Sequence, residues 1–269
     1  MHWYGGTSGY SYKEWKGSFY PEDLAADAML AYYAQKLPAV EINNTFYQMP
    51  RTNVLGGWAD AVPDSFRFII KASKRITHQQ RLVDCADSVK YLVERIEVLE
   101  DRLGGVLYQL PPFMRKDMAR LTPFLEILPA SIPAAMEFRH TSWFDDEVFD
   151  ALAAKNVALC VSDDGELELP ARIATTNWVY LRLRQQTYDD KALTGWLDRA
   201  KATSASTGYA FFKHEDDGAG PELAARFLAL ANEPTVSPKG SQRTARSAAP
   251  TRSAPPKPNA PRKNARNKA

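Results

Sequence analysis

Apolar positions along the first 230 residues follow two alternating rhythms. Short runs rich in β-branched and aromatic residues, at 2–8, 40–43, 66–71, 106–110, 133–139, 157–161, 178–183 and 209–213, predict eight strands. Between them the spacing lengthens to that of helices. Leu24, Met29, Leu30 and Tyr33 predict a helix over 23–37. Val89, Leu92, Val93, Ile96 and Leu99 share one face of a helix expected over 84–103, with Gly104-Gly105 suited to its end. A helix over 117–128 contains Pro123, which must end its first turn or kink it. Asp145 is the expected N-cap of a helix reaching Lys155, another follows over 191–201, and Gly220-Pro221 opens the last, with proline where a first turn tolerates it.

Eight strands separated by helices over about 230 residues predict an α/β fold, a single-domain TIM-like (β/α) barrel, for which roughly 250 residues is usual. The competing fold, a doubly wound open sheet, needs a phosphate-cradling turn after a strand. The nearest sequence, Gly5-Gly6-Thr7-Ser8-Gly9, lacks the required glycine spacing. No Walker-type loop, nucleophile elbow or H-E-x-x-H motif occurs.

Strand side chains alternate between faces, so Val40 and Ile42 oppose Glu41 and Asn43. Likewise Met136 and Phe138 oppose Glu137 and Arg139, while Val179, Leu181 and Leu183 oppose Tyr180, Arg182 and Arg184. If the apolar sets meet the helices, three strands aim charge into the barrel. Lys71, Gln109, Asp163 and Lys213 also stand at strand ends, on the side where barrel active sites are built. Five cations (Lys71, Arg139, Arg182, Arg184, Lys213) then face three carboxylates (Glu41, Glu137, Asp163). Either these charges neutralise one another in a structural network, or the surplus cations bind a phosphate or carboxylate.

The overall net charge of +2 hides a split. Residues 232–269 carry nine Lys/Arg and one acidic residue, leaving 25 Lys/Arg against 31 Asp/Glu in residues 1–231. The second segment is rich in Pro, Ser, Ala, Asn and Thr and has almost no large apolar residue, so it is expected to be a disordered basic tail behind a barrel domain of residues 1–231. The tail is either a solvated appendage or a weak, salt-dependent contact for nucleic acid. No run approaches the roughly 18 apolar residues of a membrane span, and the opening Met1-His2-Trp3-Tyr4-Gly5-Gly6 lacks the pattern of an export signal. Cys85 and Cys160 have no partner at metal-ligand spacing. These features lead us to expect a cytoplasmic protein with no membrane partner.

The candidate chemistry is acid/base work on a small anionic ligand, with Glu137, His140 and Lys71 as the groups that would carry it. Glu41, Asn43, Tyr47, Gln109, Arg139, Trp143, Asp163, Arg182, Arg184 and Lys213 are the expected binding residues. A hydrolase, lyase or isomerase would fit, as would a non-catalytic ligand or nucleic-acid module assisted by the tail. His78, His140 and His214 lie near strand ends with Glu41, Glu137 and Asp163, residue types that a metal-dependent phosphodiester hydrolase or sugar isomerase would use. Neighbouring Lys and Arg oppose a cation, so no metal ligand is assigned. The aromatics Tyr10, Tyr12, Trp15, Phe46, Tyr47, Phe113 and Trp143 follow strands and either pack the loops or stack on a sugar or base. No cofactor or oligomeric state can be read from these residues.

Several blocks resemble one family. Gly6-Thr7-Ser8-Gly9-Tyr10-Ser11-Tyr12-Lys13-Glu14-Trp15 with Phe19-Tyr20-Pro21 is similar to the opening of the YecE-like proteins, also called the domain of unknown function 72 family. Val40 to Tyr47 with Pro50, Phe68 to Lys71 with Thr77-His78, Gln109 to Phe113, and Glu137 to His140 with Ser142-Trp143 follow in the same order. The resemblance runs from about residue 6 to 230 and implies a TIM-barrel-like fold, with little chemistry attached. Many members carry Arg-x-His-Gly in strand seven and Asn-Asn in strand eight, where this chain has Arg182-Leu183-Arg184-Gln185 and Lys213-His214. Those departures make the mouth more cationic.

Overall fold

The computed structural model describes residues 1–213 and 218–233. His214 and the expected tail from residue 234 onward lie outside the described residues. Eight parallel strands close into a barrel in chain order: β1 His2–Ser8, β2 Ala39–Ile42, β3 Arg67–Lys71, β4 Leu103–Gln109, β5 Ala134–Glu137, β6 Val157–Asp163, β7 Trp178–Leu183 and β8 Thr207–Phe212. The ring shuts where β1 pairs with β8, Tyr4 standing opposite Tyr209.

The helices are α1 Met29–Ala34, α2 Thr52–Asp60, α3 Ala86–Ile96, α4 Met118–Glu126, α5 Asp146–Ala154, α6 Asp190–Lys201 and α7 Ala219–Asn232. No helix is described between β6 and β7. Three expectations change. The helix expected over 23–37 shrinks to a 3-10 turn at Ala26–Ala28 and the six residues of α1, in keeping with Pro38, which disfavours helical geometry at Leu37 before it. The one expected over 84–103 ends as α3 at Ile96, and a 3-10 segment, Glu97–Arg102, leads straight into β4. Gly104 and Gly105 therefore lie inside a strand. At Gly105 the backbone has φ 151° and the β3–β4 register slips by one residue, a conformation glycine tolerates. Finally, α4 runs through Pro123 to Glu126.

Two apolar layers follow from strand parity. Outward residues such as Val40, Ile42, Met136, Phe138, Val179, Leu181 and Leu183 join the helices in the larger core. Inside the barrel, Ala39, Ala135 and Ala158 leave room that Tyr4, Trp178, Tyr180, Tyr209 and Phe211 fill. Their rings pack on one another, Tyr4 on Tyr209 with centroids 5.1 Å apart and Tyr180 against Phe211 at 5.5 Å. This aromatic plug blocks the lower barrel, so the inward charges collect above it at the C-terminal ends of the strands. Among the described residues no helix is long and apolar enough to cross a membrane.

Candidate functional site: the barrel mouth

Parity places Glu41, Lys71, Gln109, Glu137 and Arg182 on the inner wall, one position or two above the apolar fill. Arg182 joins them across the barrel. Its Nη2 donates to Glu41 Oε1 at 2.7 Å, and its Nη1 donates to Glu137 Oε2 at 2.7 Å and to Gln109 Oε1 at 3.3 Å. One guanidinium from β7 thus ties β2, β4 and β5 together. Glu41 also accepts from Tyr180 Oη at 2.6 Å, Ser8 Oγ at 2.8 Å and Asn43 Nδ2 at 3.0 Å. Arg139 Nε donates to Glu137 Oε1 at 2.7 Å, and its Nη1 donates to Asp164 Oδ2 at 2.9 Å.

Glu41, Glu137 and Arg182 are buried, which would be costly for isolated charges. Burial pushes the Glu41 carboxyl up, but Arg182 and the hydroxyls of Tyr180 and Ser8 outweigh it and hold the group at about 2. Burial opposes ionisation of Glu137 as well, yet the charges of Arg182, Arg139 and Lys71 keep it below the usual carboxylate range. Both glutamates are therefore fixed anions, and both are occupied by guanidinia.

Lys71 is different. Thr45 Oγ1 donates to its carbonyl at 2.7 Å, fixing the backbone, and its half-buried ammonium lies over the Phe46 ring, 4.5 Å from the centroid. It has no carboxylate within ion-pair distance among the described residues. Burial and the charge of Arg182, with a smaller push from Arg184, outweigh Glu137 and Glu41 and bring the amine down to about 8. Arg184, also half-buried, makes no ion pair with a described residue. Among the described residues three buried side-chain polar atoms lack a hydrogen-bond partner: Asn43 Oδ1, Arg182 Nε and Arg184 Nη1. All three belong to this mouth. A cavity of about 230 Å³ adjoins it, lined by Tyr10, Tyr12, Asn43 and Asn44 among others. A larger one, about 550 Å³, between the loops after β2 and β3 and helix α3, is lined by none of the inward charges.

The expected site residues divide accordingly. Glu41, Asn43, Lys71, Gln109, Glu137, Arg139, Arg182 and Arg184 come together. Lys213 follows β8 on the inward parity and is half-buried. Asp163 does not join them: it faces outward opposite Leu183 and accepts from Gln185, Tyr188 and Trp196 of the outer layer. Asp164, one residue later, takes its place beside Arg139. Trp143 is also no part of the mouth surface, because it is fully buried, stacks on Phe138 and donates to the Met114 carbonyl at 2.7 Å. Tyr47 stands 72% exposed on the rim. His140 caps a local turn, its Nδ1 accepting from the Ser142 amide at 3.1 Å. Of the other aromatics, Trp15 is buried and Phe113 is 62% exposed. Ser8 and Asp164 were not among the expected site residues, and Phe46 was expected only as one of the aromatics after strands. Of Ser8 and Asp164, only Ser8 carried a signal, sharing the inward parity of Tyr4 and Gly6.

Among the described residues no three His, Cys, Asp or Glu side chains converge as metal ligands. Fold and site together define a closed parallel (β/α) barrel with a charged mouth over an aromatic plug. Residues 4–247 match the family model described as "Protein of unknown function DUF72", and the chain belongs to that family. It is 34% identical over 113 residues to the UPF0759 protein YecE of Escherichia coli K12, covering 42% of each chain. To the UPF0759 protein YunF of Bacillus subtilis 168 it is 28% identical over 141 residues, 49% of this chain and 50% of that one. The aligned chain thus spans half or less of the curated relatives it matches. A DUF72 family crystal structure from Thermotoga maritima MSB8 superposes with a TM-score of 0.77 at 27% identity, covering 87% of this chain and 100% of that one. Another, from Enterococcus faecalis V583, gives 0.72 at 18% identity over 88% and 98% of the two chains, which supports the fold alone.

Proposed function

We propose that the protein binds a small anion, a phosphate or carboxylate, in the mouth of its barrel. The observation that carries this reading is the pair of buried guanidinium nitrogens without acceptors among the described residues, Arg182 Nε and Arg184 Nη1, together with an ammonium, Lys71, that has no carboxylate within ion-pair distance among those residues. Leaving buried donors unsatisfied is expensive, and an oxyanion supplies both acceptors and charge. The nearby glutamates do not compete for it, since each is already held by arginine. The Asn43 Oδ1 acceptor would take a hydroxyl or amine of the same ligand. Of the three groups expected to carry chemistry, Glu137 is clamped as an anion and His140 serves a local turn, which leaves Lys71, its amine brought down to about 8. The free thiols of Cys85 and Cys160 suit the reducing cytoplasm that the sequence suggests.

Calorimetric titration with sulfate, whose charge does not change between pH 7 and 9, tests this reading. Arg184→Met should weaken binding by about 10- to 100-fold, the cost of one charge-assisted hydrogen bond. Affinity for the unaltered protein should be higher at pH 7 than at pH 9, because Lys71 loses its proton near 8 and an anion favours the protonated form. Equal binding by both proteins, at both pH values, would refute the site.

A further inference from the structure

We propose that Lys71 is an amine nucleophile that forms an imine with a carbonyl compound bearing a carboxylate or phosphate. The proposal rests on the anion site above and names the class of ligand it takes. Its basis is geometric. Lys71 is the last residue of β3, inward-facing, half-buried and therefore reachable from the mouth, with its backbone pinned by Thr45. Surface lysines of this chain such as Lys116 and Lys155 lie against carboxylates at 2.5–2.7 Å, whereas the Lys71 ammonium lies over the face of Phe46 and has no carboxylate within ion-pair distance among the described residues. The charges that act on it are the guanidinia of Arg182 from β7 and Arg184 just after it, and the glutamates 41 and 137 from β2 and β5, both glutamates being paired elsewhere. His78, in the π-helical turn Arg75–Gln79 after β3, packs on the same Phe46 ring with centroids 4.9 Å apart.

These surroundings suit the reaction step by step. Desolvation and the neighbouring cations favour the free amine, giving a fraction at pH 7 about two orders of magnitude above that of an ordinary lysine. The Nζ lone pair attacks the carbonyl carbon, the C–N bond forms, and the carbonyl π pair passes to oxygen. A proton moves from nitrogen to that oxygen; a second proton allows it to leave as water, and a protonated imine remains. His78 is the nearby proton carrier: burial and then the charge of Lys71 lower its affinity for protons, and its Nδ1 is engaged by Thr77 Oγ1 at 2.9 Å. Arg184 and Arg182 would hold the anionic end of the carbonyl compound, as planar donors do for carboxylate and phosphate.

Reductive trapping tests this on the full chain. The protein is incubated at pH 7 with cyanoborohydride and pyruvate, glycolaldehyde phosphate or neutral propionaldehyde, and the adducts are mapped by mass spectrometry. The expected result is one adduct, on Lys71, from pyruvate or glycolaldehyde phosphate, suppressed by sulfate and far weaker with propionaldehyde. Whichever anionic compound labels decides between carboxylate and phosphate. Adducts spread over exposed lysines such as Lys90, equal labelling by propionaldehyde, or an unlabelled Lys71 would each overturn the proposal. If sulfate still binds while Lys71 stays unlabelled, the anion site stands and the amine chemistry falls; if sulfate fails to bind as well, both fall. Lys71→Arg, with a melting temperature close to that of the unaltered protein, should abolish the adduct, and an adduct of the same yield in that variant would overturn the proposal.

Discussion

At the scale of single residues, Arg182 is the position on which the mouth depends. It is 2% exposed and pairs with two fully buried carboxylates whose strands lie 141 and 45 residues away in sequence. Replacing it with methionine keeps much of the volume but leaves Glu41 and Glu137 facing each other without their shared cation. Arg182→Met should therefore lower stability by about 3–5 kcal/mol, read from the urea midpoint. Arg172→Ala, which removes an exposed pair with Asp150, should change it by no more than about 1 kcal/mol. The alternation of β7 made Arg182 legible, because Val179, Leu181 and Leu183 fix which face is apolar. Asp163 was not legible in the same way: Leu159 and Val161 share its face, so parity alone would have turned it outward, but its charge and its place at a strand end argued for the mouth. Trp143 misled for a related reason, since an aromatic after a strand packs inward or lines a pocket with the same local sequence.

The elements were legible where their amphipathic pattern was long and lost where it was short. Helix α2 was not expected, because Gly56-Gly57 weaken helical propensity and only Leu55 and Ala59 are buried. Its position comes from packing against the segment before β4. Caps follow local chemistry more closely. Asp145, expected to open α5, accepts from the Glu147 amide at 3.0 Å. Asp189 plays the same part for α6, accepting from the Ala192 amide at 2.8 Å. Asp189→Ala should cost about 1 kcal/mol in a thermal or urea melt, and Asp189→Asn should recover most of it, because an amide oxygen can still accept that bond. Strand identity was the most robust reading, and the glycines of β4 show its limit. An added Cβ at Gly104 would stand 2.9 Å from the Tyr209 hydroxyl of β8 and one at Gly105 2.8 Å from the Pro133 carbonyl, so a pair that locally suggests a helix end instead answers to tertiary neighbours.

For the whole molecule, the buried carboxylates link fold to pH. The Glu41 carboxyl is held at about 2 and that of Glu137 below its ordinary value, so both bind protons less readily folded than unfolded. Their contribution to stability is complete above roughly pH 4.5 and is lost as pH falls toward 2. The urea midpoint should drop steeply over that interval, and Glu41→Gln, with its carboxylate gone, should flatten the drop; an unchanged slope would show that the network does not govern acid unfolding. The amino-acid sequence by itself determined the number of strands, their alternation with helices, and the face of three strands that carries charge, because alternation and helical spacing are local properties of the chain. Only the tertiary structure decided which charges neutralise one another. Glu41, Glu137 and Arg182 meet because the ring closes across the molecule, and which cations are left over depends on distances between strands that no local pattern encodes.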